Sequence, residues 1–559
     1  MTAATLVIHG VSAGQRSAVG RVVQVRPAPV IPEKELAVEN PAGVVVEAFA
    51  AVRRELEAIA SAAEGLVRDV MQATVAMVDD PLLVEESLDR VAAGLGPARA
   101  VDEAAEAVCA IFEEAGGRLA ERATDVRSIR HRVVAAILGE PAPGIPILRA
   151  PSVVVAEDLA PADTAGLEPS NLLALVTERG GLTSHTAIIA GQLGIPCVVQ
   201  ARGATAIAPG ALVAVDAATG RVVVDPPHEL VRELETRSRA LHELARDRRA
   251  GSTQDGHRIA LLGNVGTPAD ARKLDGAGAE GVGLFRTEML YLGRSTAPTV
   301  EEQIRSYAEV FDAAPNRKIV VRTLDAGADK PIPFANLGHE ENPALGVRGY
   351  RLARRDECLL DEQLMAIALT ARRCGVQPWV MAPMISVPEE ASAFAARARA
   401  AGIGTVGVMV EVPAAALTID QLLADLDFVS LGTNDLAQYT MGADRLQHEL
   451  SDLLDPWQPA VLTLIAMTAS AGRRRGKPVG VCGESAGDPI MALVLAGLGV
   501  TSLSMSFGAL PLVRHALRQH TMAQCERLAE LALSAPSAPS GRARVLGAMN
   551  DDVRSVLAV

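Results

Sequence analysis

The residue best placed to do group-transfer chemistry is His185, in the run Gly180-Gly181-Leu182-Thr183-Ser184-His185-Thr186. A glycine pair stands before it, and the apolar run Ala187-Ile188-Ile189-Ala190 follows. Glycine lets backbone approach a ligand closely. Thr183 and Ser184 suit the cap of the helix that this pattern predicts, whose free amides favour an anion. A phosphoryl group carried on His185 would therefore meet a positive helix end. The same residue types also suit a surface histidine satisfied at a helix start, and this run alone leaves both readings open.

Further residues of functional type follow short apolar runs in the second half of the chain. Arg286 and Arg322, in Phe285-Arg286-Thr287-Glu288 and Arg322-Thr323-Leu324-Asp325, offer planar donors for phosphate or carboxylate oxygens. They could equally form structural ion pairs with Glu288 and Asp325. Glu411 and Asp435 are hard carboxylates that suit Mg²⁺ with open water positions, or simple pairing with arginine. Asn434 and Arg445 could hold the other side of the same anion. Cys482, in Val-Cys-Gly-Glu, reads either as a buried structural thiol or as a proton donor facing anions and a metal. Arg348, in Asn342-Pro343-Ala344-Leu345-Gly346-Val347-Arg348, lies on a long insertion and can reach the same place.

These groups need elements to hold them. At 559 residues the chain is too long for one core, and two to four domains are expected. A hydrophobic content of 49% marks a folded globular protein, and a net charge of −14 argues against general binding to nucleic acid or anionic membrane. No apolar run reaches the roughly 18–20 residues of a bilayer span, and no secretory signal is evident at the N-terminus. The six cysteines are scattered without metal spacing, which suits reduced thiols in the cytoplasm.

Residues 1–29 and 143–227 read as an α/β domain holding His185 between two strands, with 30–142 as an inserted subdomain of three or four helices. Residues 228–256 read as a charged helical linker. From 257 to 532, eight apolar runs alternate with helical patterns, at 258–263, 280–284, 318–323, 379–384, 405–410, 427–431, 477–481 and 500–504. That alternation predicts a (β/α)₈ barrel, with active groups at the C-terminal strand ends. Five of the eight ends carry the residues above, a placement hard to obtain by chance. Residues 533–559, opening on a Ser-Ala-Pro repeat, read as a loose tail with a short final helix.

Taken together, the motifs resemble Enzyme I of the bacterial sugar phosphotransferase system, the phosphoenolpyruvate–protein phosphotransferases. They are Gly-Gly-x-Thr-Ser-His-Thr, Leu284 to Glu288, Arg322 to Asp325, Asn342 to Gly346, Met409 to Pro413, Gly432 to Tyr439 and Cys482 to Glu484. The resemblance runs in order over nearly the whole chain. It implies a swivelling phosphohistidine domain, an inserted helical subdomain that docks the phosphocarrier HPr, and a barrel that binds phosphoenolpyruvate and forms a cytoplasmic homodimer. It implies Mg²⁺ on Glu411 and Asp435, substrate held by Arg286, Arg322, Asn434, Asp435 and Arg445, phosphoryl transfer to His185, and a proton from Cys482.

Two departures stand out. The family usually has an arginine soon after the phosphorylated histidine, where this chain has Ala190-Gly191; Arg202 is a candidate replacement. The family's carrier-docking helix usually holds a histidine, where this chain has Thr74. The rival readings are a pyruvate phosphate dikinase or phosphoenolpyruvate synthase relative, disfavoured because no Gly-rich nucleotide loop precedes the α/β segment, and a catalytically degenerate phosphorelay scaffold. The nitrogen-regulatory paralogue is disfavoured for want of a sensory domain before Leu6.

Overall fold

The computed structural model describes residues 6–14, 16–26, 28–35, 38–62, 65–115, 117–146, 148–159, 163, 169–181, 186–187, 190–191, 194–292, 294–327, 332, 334, 338, 340–445 and 447–558. The chain divides into two compact units that meet at Ala240–Leu241.

The first unit is built on an eight-stranded sheet. Its strands are β1 (Val7–His9), β2 (Val11–Ser12), β3 (Ser17–Gln24), β4 (Ser152–Ala156), β5 (Leu172–Thr177), β6 (Cys197–Val199), β7 (Leu212–Asp216) and β8 (Arg221–Val224), in the order β1-β8-β7-β3-β4-β5-β6-β2. β3 to β6 run parallel, and the flanking strands are antiparallel. β4 is buried along its whole length, which explains its unbroken apolar sequence. The chain leaves the sheet after β3 and returns in β4, immediately beside β3.

Five helices fill the excursion: α1 (Pro41–Ala62), α2 (Gly65–Val78), α3 (Pro81–Ala92), α4 (Pro97–Ala115) and α5 (Gly117–Leu138). This exceeds the three or four expected. Proline-marked breaks open α3 and α4, and Asp80 caps α3 by accepting from the Leu82 amide at 3.0 Å. The breaks before Gly65 and Gly117 carry no proline, so periodicity read across them. Thr74 is buried in the bundle with Met71 and Val78.

The next helix, α6 (His228–Leu244), is more than a linker. Leu234 packs with Ala214 and Val223 of the sheet, and buried Arg237 pairs with Asp216.

The second unit is a closed barrel of eight parallel strands: β9 (Ala260–Val265), β10 (Gly281–Arg286), β11 (Lys318–Arg322), β12 (Trp379–Ala382), β13 (Thr405–Val410), β14 (Phe428–Leu431), β15 (Val479–Val481) and β16 (Ser502–Met505). Closure is made by β16 against β9, with Leu503 opposite Leu261. Among the described residues no helix is long and apolar enough to cross a membrane.

The C-terminal segment corrects the expectation of a loose tail. Residues Ala538–Ala548 and Asp551–Leu557 are helices, and Val545, Met549, Val553 and Leu557 recur every four residues and bury in the barrel's outer core. The Ser-Ala-Pro repeat that looked like a linker is a helix start. Ser537 accepts from the Ser540 amide, with proline in the first turn.

Leu557→Ala should therefore cost about 2–5 kcal/mol, the usual range for a buried leucine. Urea unfolding of the full chain is the measurement; a loose tail would leave the midpoint unchanged.

Candidate active site

The C-terminal ends of the barrel strands surround a cavity of about 330 Å³. Arg286, Arg322, Asn434, Asp435, Arg445 and Cys482 line it, with Glu288, Met409, Gly432 and Glu484. Arg286 and Arg322 close β10 and β11, and their ends are in register. Asn434 and Asp435 stand in the first turn of helix Thr433–Met441, one step beyond the β14 end.

A line of alternating charge runs behind this lining. Arg322 pairs with Glu288 at 2.6 Å and with Asp325 at 3.1 Å. Arg348 contacts both oxygens of Asp325 at 3.2 Å and reaches Asp435 at 3.1 Å. Arg445 approaches the other Asp435 oxygen at 3.5 Å. Asp325 and Arg348 are completely buried. An isolated charge there would be costly, so each member requires its neighbours. Both sequence readings of Arg322 thus hold together: it is ion-paired, and its guanidinium still lines the cavity, where buried Nε has no partner among the described residues. Arg286 differs. It is exposed, and no hydrogen bond or ion pair engages it among the described residues.

Glu411 and Arg348 do not line the cavity. Both are fully buried behind it. Glu411 Oε1 accepts from the Met384 amide at 2.6 Å, and Oε2 has no hydrogen-bond partner among the described residues. Burial, then the charges of Asp325 and Asp435, push the Glu411 carboxyl up to about 8, against the pull of Arg322 and Arg348. A Cβ at Gly432 would come 2.8 Å from Oε2. Glycine therefore keeps open the space between this oxygen and the cavity. Two hard carboxylates, one with an orphaned buried oxygen beneath a glycine, fit a divalent cation. Among the described residues, no cluster of three or more His, Cys, Asp or Glu side chains could hold a metal.

Cys482 is buried where β15 meets the cavity. Its Sγ accepts from the Ser430 hydroxyl at 3.2 Å and lies 3.6 Å from the Leu431 carbonyl. Burial pushes the thiol above its ordinary value; the Ser430 hydrogen bond and the Arg322 charge act the other way. The thiol is thus held protonated beside the cavity. Asn434 Oδ1 accepts from the Glu484 amide at 3.0 Å, which leaves its NH₂ group for a ligand.

His185, Thr183 and Ser184 lie outside the described residues. Gly191 is described, and among the described residues nothing lies within 4 Å of where its Cβ would stand. Sequence reasoning did not single out Ser430. A hydroxyl in a barrel strand of otherwise buried apolar residues was the available signal, since barrel interiors are usually filled by branched aliphatics.

Comparison with known proteins agrees with this layout. Residues 9–122, 148–220 and 242–522 match the N-terminal, mobile and PEP-binding domains of PEP-utilising enzymes, respectively. The chain is 47% identical over 542 residues to a phosphoenolpyruvate-protein phosphotransferase of Streptomyces coelicolor, covering 96% of this chain and 97% of that protein. It is 36% identical to one from Geobacillus stearothermophilus, with 94% and 95% covered, and 40% identical to one from Haloferax volcanii, with 83% and 84% covered.

The raised Glu411 carboxyl has a thermodynamic consequence. Between its unfolded value of 4.5 and about 8, the folded protein keeps a proton that the unfolded chain releases. Its contribution to stability is fully present below 4.5 and is lost as pH rises through 8. Glu411→Gln should remove that loss, so that in chelator the variant gains on the parent between pH 5 and pH 9. Urea midpoints at the two pH values would show this; parallel shifts of both proteins would contradict it.

Proposed function

The chain belongs to the phosphoenolpyruvate–protein phosphotransferase family, and from that premise we propose that it takes the phosphoryl group of phosphoenolpyruvate onto His185, releases pyruvate, and passes the group to a histidine of the carrier HPr. This would be the first step of sugar uptake by the phosphotransferase system, in the cytoplasm. The observation that carries the reading is the cavity at the barrel mouth, where cationic and amide donors converge on a buried thiol.

Each side chain has a role in this reading. Arg286, Arg322, Arg445 and the Asn434 amide hold the phosphate and carboxylate of the substrate. Glu411 and Asp435 would hold Mg²⁺, which when bound neutralises charge on the phosphate and the enolate oxygen. Arg348 fixes Asp435 and Asp325, and so fixes Arg322. Neutral His185 attacks phosphorus in line, Thr183 and Ser184 support it, and positioning with charge neutralisation supplies most of the rate. The P–O bond breaks, and Cys482 gives its proton to the methylene carbon of the enolate.

The wider assignments follow the same reading. Residues 1–29 and 143–227 form the phosphohistidine domain, 30–142 the carrier-docking subdomain, and 257–532 the substrate-binding and dimerisation unit. Because Thr74 is buried, carrier contacts fall to other residues of the bundle. A degenerate scaffold is the second reading, favoured only by Gly191.

Purified protein incubated with Mg²⁺ and labelled phosphoenolpyruvate should acquire acid-labile, base-stable label and form pyruvate. His185→Ala should abolish the label, and a chelator should suppress it. Cys482→Ala should slow pyruvate formation while part of the phosphate exchange persists. A folded parent that takes no label would favour the scaffold.

A further inference from the structure

Below the mouth, the barrel interior departs from ordinary filling. Bulky branched side chains usually occupy such a layer. Here β10, β14, β15 and β16 contribute Gly283, Ser430, Gly480, Ser502 and Ser504. A Cβ at Gly480 would stand 2.8 Å from Ser502 Oγ and 3.7 Å from Ser430 Oγ, so the missing side chain keeps these hydroxyls uncovered. The resulting small chamber has room for on the order of one water, and its hydroxyls could hold that water.

The chamber lies between Ser430, which touches Cys482, and Lys318. At its upper side Ser430 donates to Cys482 Sγ at 3.2 Å. At its other end lies Lys318, the first residue of β11, whose Nζ sits 3.6 Å from the Trp379 ring centre and 6.0 Å from that of Phe428. No carboxylate pairs with this lysine among the described residues, and burial alone brings it down to about 8. The residue as a whole is half-buried.

We propose that Ser430 and Lys318 form a proton-resupply line that restores the Cys482 thiol from the far end of the barrel. The inference rests on the proton-donor reading of Cys482. When the Sγ–H bond breaks and its proton forms the new C–H bond of pyruvate, a thiolate remains. Ser430, as a positioning residue, stabilises that thiolate through its hydrogen bond and then passes its hydroxyl proton to sulfur. The serine oxygen regains a proton from the chamber water, the water from the Lys318 ammonium, and the lysine from solvent. One solvent proton is consumed per pyruvate, and no other co-reactant is needed. Resupply from below lets the cavity above stay closed around the substrate.

The test uses the full-length protein in D₂O with Mg²⁺, phosphoenolpyruvate and ¹³C-pyruvate. Carbon-13 entering phosphoenolpyruvate counts phosphoryl exchange. Deuterium entering the pyruvate methyl group counts replacement of the thiol proton from solvent. In Ser430→Ala the ratio of deuterium to carbon-13 exchange should fall about tenfold, the scale of one lost hydrogen bond, and Ser430→Thr should restore it. Lys318→Met, which keeps the contact with Trp379, should lower the ratio in the same direction. An unchanged ratio in both variants overturns the proposal, as does loss of both exchanges together, which would mark a purely structural role. Absence of any carbon-13 exchange in the parent protein would instead overturn the functional reading beneath it.

Discussion

The alternating line Glu288–Arg322–Asp325–Arg348–Asp435–Arg445 is the constraint on which the second unit's chemistry depends. Its middle members are removed from water, where a single charge could not persist without its neighbours. Each pairing consumes one face of a guanidinium or carboxylate and leaves the other face directed by geometry. Arg322 is thereby held rigid at the cavity with a spare donor, and Asp435 is held where a cation could approach. Flexible surface arginines could bind the same anion but would lose conformational freedom on doing so.

The line also sets the electrostatics around it. Glu411 lies within reach of Asp325 and Asp435, and burial removes the water that would otherwise stabilise its charge. The arginines offset this only in part, so the carboxyl holds its proton near neutrality. Gly432, which lines the cavity, leaves out the Cβ that would crowd the orphaned oxygen. In the proposed reading, a positive ligand would complete this site. Cys482 is kept protonated by the same exclusion of water, while the Ser430 hydrogen bond and the Arg322 charge act the other way.

Much of this was legible in the sequence. The eight barrel strands appear within two residues of their expected ends, because parallel strands buried on both faces read as short apolar runs. Arg286, Arg322, Asn434, Asp435 and Cys482 were all placed at one mouth by a single topological rule. The misreadings have physical causes. Ser-Ala-Pro is linker chemistry and helix-start chemistry alike, and only the downstream stripe of Val545, Met549, Val553 and Leu557 tells them apart. Glycine breaks without proline, before Gly65 and Gly117, hid helix boundaries in the bundle. That Thr74 is buried was likewise not legible, because spacing along a helix does not say which face is covered.

The sequence by itself determined the order of elements, the class of each, and which chemical groups stand at the strand ends, since these follow from local periodicity and covalent order. Only the tertiary structure decided who meets whom. That Arg348 would cross from its insertion to bind Asp325 and Asp435, that Glu411 would sit behind the cavity with one oxygen unpaired, and that Ser430 would touch Cys482 depend on barrel closure. Closure brings together strands separated by dozens of residues, and no local pattern encodes the distances it creates.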